Sequence, residues 1–201
     1  MANVVIFDYG VGNLLSLKTA LEKVGLTASI GTTAADLAEA DAIALPGVGS
    51  FTAALDKLGT VKETLETKVS EGTPLLGICL GLQLFFEASE EGPGDGLLFF
   101  KGKNMQLPNT VKVPHMGWNT LNIIRQNELF DGIAEGTYVY FVHSLYPQPK
   151  DPNIVVTKTE YGTTFTSAVA NKNIYGTQFH PEKSGDIGLK ILQNFAKVVV
   201  R

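Results

Sequence analysis

The sequence predicts an α/β fold: a central, mostly parallel sheet with helices on both faces and additional antiparallel strands in the second half. Three observations carry that prediction. In the first half, short apolar runs alternate with segments of helical periodicity, which is the pattern of βα units. Those runs end in glycine-bearing turns, where ligands of parallel sheets bind. From about Gly92 to Tyr175 helical periodicity fades and short strand-like runs follow one another, before a last helix closes the chain.

The elements read in order as follows. "NVVIFD" is an apolar strand ending at "YGVGN". Leu14, Leu17, Leu21 and Val24 then recur at helical spacing, and Gly25 supplies the stop. "TASI" is a second strand, and "DAIALP" a third that ends in the turn "PGVGS". "FTAALDKLG" and "VKETLETKVSEG" are helical, and "TPLLGI" is a fourth, buried strand leading to Cys79 and a following helix. In the second half "GLLFF", "NTVKV", "WNTLNII", "TYVYFV", "NIVVTKTE", "TFTSAVA" and "NIYGTQF" read as strands, several of them antiparallel. Ile187, Ile191, Phe195 and Val198 mark the closing helix. No repeat, low-complexity segment or linker interrupts the chain, so residues 1–201 are expected to form a single domain.

Composition excludes several function classes. At 201 residues with 44% hydrophobic and 18% charged residues and a net charge of −4, the chain has the makeup of an ordinary globular protein. Its Lys and Arg are scattered, so nucleic acid is not an expected partner. No apolar stretch is long enough to span a bilayer and the start does not read as a signal peptide, so no membrane role and a cytoplasmic location are expected. One cysteine and three separated histidines make neither a disulfide nor a zinc site, and no metal ligands are assigned.

That cysteine lies in "GICLGLQLF". A strand, a G-x-C-x-G turn and a helix make a nucleophile elbow, in which Gly77 and Gly81 remove side chains that would collide and leave Cys79 at the tip. The macrodipole and unpaired N–H groups at a helix start favour a thiolate there, and the N–H of Leu80 can point at a developing oxyanion. A small buried thiol at the end of a core strand is the alternative. The matching base is His180 in "QFHPEKS". Pro181 biases His180 to an extended backbone, in which Glu182 points the same way as the ring and can orient it. His143 and His115 lack a neighbouring carboxylate and are expected to be structural or surface residues. The turn "PGVGS", with Gly47 and Gly49 around Val48, offers a second backbone N–H. Gln83, one helical turn after Cys79, can bond a polar substrate. "YGVGN" resembles the start of a dinucleotide fingerprint, but Leu15 stands where its third glycine belongs.

Together, "GICLGLQLF", "PGVGSF" and "FHPEKS" resemble the class I, or triad, glutamine amidotransferases. "FDYGVGNLLSL", "VPHMGWN" and "YFVHSLYP" bring the resemblance to the members that serve histidine biosynthesis, and it runs nearly the length of the chain. It implies a flavodoxin-like domain that hydrolyses L-glutamine without a cofactor and passes ammonia to a TIM-barrel cyclase subunit that makes imidazole glycerol phosphate. It puts Cys79, His180 and Glu182 in a triad and the Val48 and Leu80 N–H groups in an oxyanion hole. Gly47, Gly49, Gln83 and Ser144 fall near the substrate. Leu145 departs from the aromatic residue often found after that serine, where main-chain contacts are expected. Ammonia passed on without loss requires docking beside the site, so Asn13, Met116, Trp118, Tyr140 and Lys183 are expected at the partner interface; core packing is the alternative for Trp118. Rival readings are amidotransferases of anthranilate, pyridoxal phosphate or GMP synthesis, a silent interaction protein of the same fold, and a cysteine hydrolase of peptides.

Overall fold

The computed structural model describes residues 2–10 and 14–201. Val4 and Ile6 of β1 (Asn3–Phe7) point to one side of the sheet, and Val5 and Phe7 to the other. That period-two alternation, apolar on both faces, is what a strand buried between two helical layers requires. Next comes α1 (Leu14–Lys23), which ends at Gly25. Gly25 takes a φ of +91° while the N–H of Leu26 donates back to the Leu21 carbonyl, a glycine-closed helix end. The chain continues through β2 (Thr27–Gly31), α2 (Ala34–Ala38), β3 (Ala42–Leu45), α3 (Phe51–Gly59), α4 (Lys62–Ser70) and β4 (Leu75–Ile78). The second half supplies α5 (Leu80–Gln83), β5 (Ala88–Ser89), β6 (Gly102–Gln106), β7 (His115–Thr120), β8 (Asn122–Ile123), β9 (Tyr138–His143) and β10 (Leu145–Pro149). It closes with β11 (Val155–Glu160), β12 (Thr164–Asn171), β13 (Ile174–Thr177) and α6 (Gly185–Val199).

One eight-stranded sheet runs β2-β1-β3-β4-β13-β12-β11-β8. Its first five strands are parallel and its last three antiparallel, so both halves of the sequence build the same sheet. With β13 as the fifth parallel strand, the order is the flavodoxin-like 2-1-3-4-5. Helices α1 and α6 pack on one face, where Leu17, Leu21, Ile191 and Phe195 are buried, and α2 to α4 cover the other with Leu37, Leu58 and Leu65. Two smaller sheets, β10-β6-β5 and β7-β9, flank the carboxyl end of this platform.

The structure corrects several expectations. "GLLFF" is not a strand but irregular chain, apolar because Leu97 and Phe100 are buried under it; the Phe100 ring meets Phe85 edge-on at 6.0 Å. "NTVKV" is a turn segment, and the strand begins later, at His115. The reading had no element at α2, β6 or β10. The helix after Cys79 is a single turn, so a long macrodipole does not act on the thiol.

Candidate active site

The site is built where β3, β4 and β13 end side by side. Cys79 follows β4 with φ 52° and ψ −102°, a region that costs a residue with a side chain about 1–3 kcal/mol. Close packing enforces that turn. A Cβ on Gly81 would sit 2.0 Å from the Leu45 carbonyl oxygen, and one on Gly77 would sit 2.5 Å from the Phe85 ring. Both glycines of "GICLG" are therefore needed for chain to approach chain, as the elbow reading expects. Leu80 is the first residue of α5, where N–H groups have no partner within the helix.

His180 and Glu182 arrive from β13. His180 keeps an extended backbone before Pro181, but Glu182 lies in a 3-10 turn over Pro181–Lys183. The carboxylate thus reaches the ring by a turn, not by strand alternation. His180 Nδ1–H donates to Glu182 Oε1 at 2.8 Å, with the two side chains only 2% and 6% exposed. Nε2, the other ring nitrogen, is buried and has no partner besides the thiol it faces. Burial alone would push the imidazole pKa down; the Cys79 sulfur and the Glu182 carboxylate outweigh it and raise it to about 9. The histidine therefore carries its second proton at neutral pH, the state that complements a thiolate.

The two arms meet at Gly47. A Cβ there would lie 2.9 Å from Cys79 Cβ, 3.0 Å from His180 Cε1 and 2.5 Å from the Ile78 carbonyl oxygen, so only glycine leaves the gap between them open. A cleft of about 280 Å³ opens beside the sulfur, lined by Gly47, Val48, Gly49, Cys79 and Leu80 on one side. Gln83, Glu91, His143, Ser144 and Leu145 line the other. That is the size of a small-metabolite pocket. Of the site residues read from sequence, Gly47, Val48, Gly49, Cys79, Leu80, Gln83 and Ser144 line this cleft, while His180 and Glu182 line a smaller gap that shares Gly47 and Val48 with it.

Three side chains at the site escaped the sequence reading. Gln178 Nε2 donates to Cys79 Sγ at 3.4 Å. Glu91 brings a carboxylate to the cleft wall and accepts from the Phe51 N–H at 3.2 Å; the acidic run "EASEEG" was its only signal. Tyr9 is buried with its hydroxyl on the Pro46 carbonyl, one residue before the "GVG" turn, and burial followed by the nearby Cys79 charge raises its pKa well above the ordinary value. His115 and His143 are buried structural residues, as expected.

Of the expected interface residues, Asn13 lies outside the described residues. Met116 and Trp118 are 64% and 55% exposed, which excludes core packing for the tryptophan. Trp118 pairs across β7-β9 with Tyr140, ring against ring at 6.0 Å. Tyr140 and Lys183 are half-buried, and the Tyr140 carbonyl accepts from the His180 N–H at 2.9 Å.

An elbow cysteine, a carboxylate-bound imidazole and a glycine turn at the ends of a 2-1-3-4-5 sheet define a class, and comparison with known proteins agrees. Residues 5–199 match the glutamine amidotransferase class-I family, and the chain belongs to it. Within that family it is similar to the imidazole glycerol phosphate synthase subunit HisH of Methanothermobacter thermautotrophicus, 46% identical over 197 residues that cover 98% of each chain. The HisH subunit of Pyrococcus furiosus is also 46% identical, over 98% of this chain and all of its own. Among solved structures, PurLQS from Thermotoga maritima superposes with a TM-score of 0.76 at 19% identity over 98% of both chains, a likeness of fold.

Proposed function

We infer that the chain is a single glutaminase domain that hydrolyses L-glutamine and supplies ammonia for imidazole glycerol phosphate synthesis in histidine biosynthesis. The observation that carries this is the strained Cys79 elbow beside an imidazole that the sulfur and the Glu182 carboxylate together hold cationic, on a cleft sized for one amino acid. The Cys79 thiolate attacks the side-chain amide carbon of glutamine. Backbone N–H groups of Val48 and Leu80 hold the oxyanion, and Gly47 and Gly49 let that turn approach the substrate. His180 gives its proton to the departing nitrogen and ammonia leaves a thioester. Water, giving a proton to the now neutral His180, attacks the thioester and releases glutamate, which restores the thiolate and imidazolium pair. Glu91 is suited to the substrate's α-ammonium, while Gln83 and the main chain at Ser144 meet its polar groups.

The acceptor that this reading implies is a TIM-barrel cyclase subunit. It docks on the outer face of β7 and β9, where Met116, Trp118 and Tyr140 make an apolar, aromatic patch adjoining the His180 backbone, with Lys183 at its border. Both subunits work in the cytoplasm. The deciding experiment is Cys79→Ala in the complex. Glutamate release should vanish while synthesis from added ammonium salts persists, because only the thiol is lost. Surviving glutaminase activity would remove the proposal, and ammonia transfer to an anthranilate, pyridoxal phosphate or GMP-forming acceptor instead would redirect it.

A further inference from the structure

The histidines outside the triad belong to a buried chain of hydrogen bonds whose direction is fixed by one carbonyl. His143 Nδ1 lies 2.8 Å from the Leu145 oxygen, which can only accept, so Nδ1 carries the hydrogen and Nε2 accepts. His115 Nδ1, 3.0 Å from that Nε2, must then donate. His115 Nε2 in turn accepts from the Asn119 amide at 3.3 Å. Burial pushes the pKa of His143 down to about 3 and that of His115 to about 4, so both stay neutral and this tautomer order holds. On its other side the Leu145 oxygen accepts from Gln83 Nε2 at 2.9 Å. The same Gln83 nitrogen gives its second hydrogen to Gln178 Oε1 at 3.2 Å. With its oxygen so committed, Gln178 turns its nitrogen to the Cys79 sulfur.

We propose that this chain makes Gln178 a further catalytic residue, whose amide N–H, held in the donating orientation through Gln83, Leu145, His143 and His115, stabilises the Cys79 sulfur as an anion. As a thiol, Cys79 can donate to the Val142 carbonyl at 3.6 Å. Once deprotonated it gains nothing from a carbonyl, and a flipped Gln178 would present one more. A donor to the ionised form is worth roughly twice a neutral hydrogen bond. The other titratable groups around the sulfur are Tyr9 after β1, His143 ending β9, His180 and Glu182 after β13, and Glu91 across the cleft. Gln178 differs from His180 in having no proton to lose at alkaline pH. His115 and Asn119 alternate along β7 with the exposed Met116 and Trp118, so the chain starts on the back of the proposed docking face.

The protein has one cysteine, so the rate of alkylation by iodoacetamide reads this sulfur alone. The proposal rests on Cys79 being the glutaminase nucleophile, yet alkylation needs neither glutamine nor partner. Normal alkylation without glutamate release from the complex would therefore defeat the glutaminase reading and the catalytic part of this one, while the alkylation profiles still decide whether Gln178 stabilises the anion. In Gln178→Met, a chain of equal length without the donor, alkylation at pH 7 should fall about tenfold and recover as the pH is raised. His143→Leu should shift the profile in the same direction, and His143→Asn, which keeps a donor beside Leu145, should restore much of the rate. An unchanged profile in folded Gln178→Met overturns the proposal. So does a loss equal at all pH values, which marks closed access instead of a destabilised anion. If Gln178→Met does not fold, Gln83→Met breaks the chain one link earlier, and an unchanged profile there overturns it equally.

Discussion

His180 and Glu182 form an almost fully buried pair, Nδ1 to Oε1 at 2.8 Å, and the second carboxylate oxygen has no partner. The carboxylate is thus committed to the ring. Steps that need the imidazolium are available below about pH 9 and are lost as the pH rises through that value. Glu182→Gln keeps an acceptor for Nδ1–H but removes the charge. Glutaminase activity at neutral pH should fall by about 10- to 100-fold, and the alkaline limb of its pH profile should move down towards the ordinary histidine value. Steady-state rates between pH 6 and 10 check both. A limb that stays near 9 would show that Glu182 does not set the charge of His180.

The acidic side of the stability curve should be set by the other two histidines. His115 is stacked on Tyr161 at 3.9 Å and on Phe141 at 4.9 Å between ring centroids, and bonds His143 within the core. Both are depressed by burial, from 6.5 to about 4 and about 3. In the unfolded chain both take up protons below about 6.5, whereas the folded protein refuses them. Their contribution is therefore complete above that value and is lost as pH falls towards 4. His180, raised instead of lowered, stays protonated in the folded state while the unfolded chain completes its protonation through 6.5, so it opposes this slope near pH 7 and adds none once the pH is well below 6. Urea midpoints measured from pH 6 to pH 4 should decline steadily, beginning before the carboxylates titrate.

What the sequence revealed was local. The elbow glycines, the apolar strand before Cys79 and the "HPE" turn each act within a few residues, so spacing alone exposed them. Gln178, Tyr9 and the His115–His143 pair depend on which strands lie side by side, and nothing in the run "GTQFH" says that β13 will deliver its glutamine to the end of β4. Two missed elements differ in kind. For α2 a signal existed: Thr33 and Asp36 form a capping box at its start. For β10 the signal pointed the other way, because Pro147 and Pro149 argue against a strand, and the segment is tolerated as the edge of the β10-β6-β5 sheet. "GLLFF" misled because its buried side chains are held by irregular backbone.

Gly47 offers a test that separates site geometry from fold. Its α-carbon faces the gap between Cys79 and His180, and the nearest backbone atom to an added methyl is the Ile78 carbonyl oxygen at 2.5 Å. In Gly47→Ala the turn must shift outward to relieve that contact, carrying Val48 with it. Overpacking of this kind costs about 1–3 kcal/mol, which the domain should survive. Losing one oxyanion donor costs about 100- to 1000-fold in rate, so glutaminase activity should fall far more than stability does. Parallel measurement of the denaturation midpoint and of glutamate release decides it; proportionate losses would count against the oxyanion role of this turn.

Trp118 tests the docking face. It stands on the outer side of β7, 55% exposed, edge-on to Tyr140, with Met116 beside it on the same face. The opposite side of the same strand carries His115 in the core, so the strand is anchored without the tryptophan. Trp118→Ala should consequently leave the thermal midpoint of the isolated subunit within a degree or two, since exposed truncations rarely change stability by more than about 0.5 kcal/mol. A large exposed ring that becomes fully covered on binding is the usual anchor of an interface, and its truncation costs about 2 kcal/mol or more. Affinity for the cyclase subunit should therefore weaken by at least about 30-fold. Isothermal titration of the variant against that subunit gives the answer. If affinity holds while the exposed ring is gone, the docking face lies elsewhere on the rim of the site.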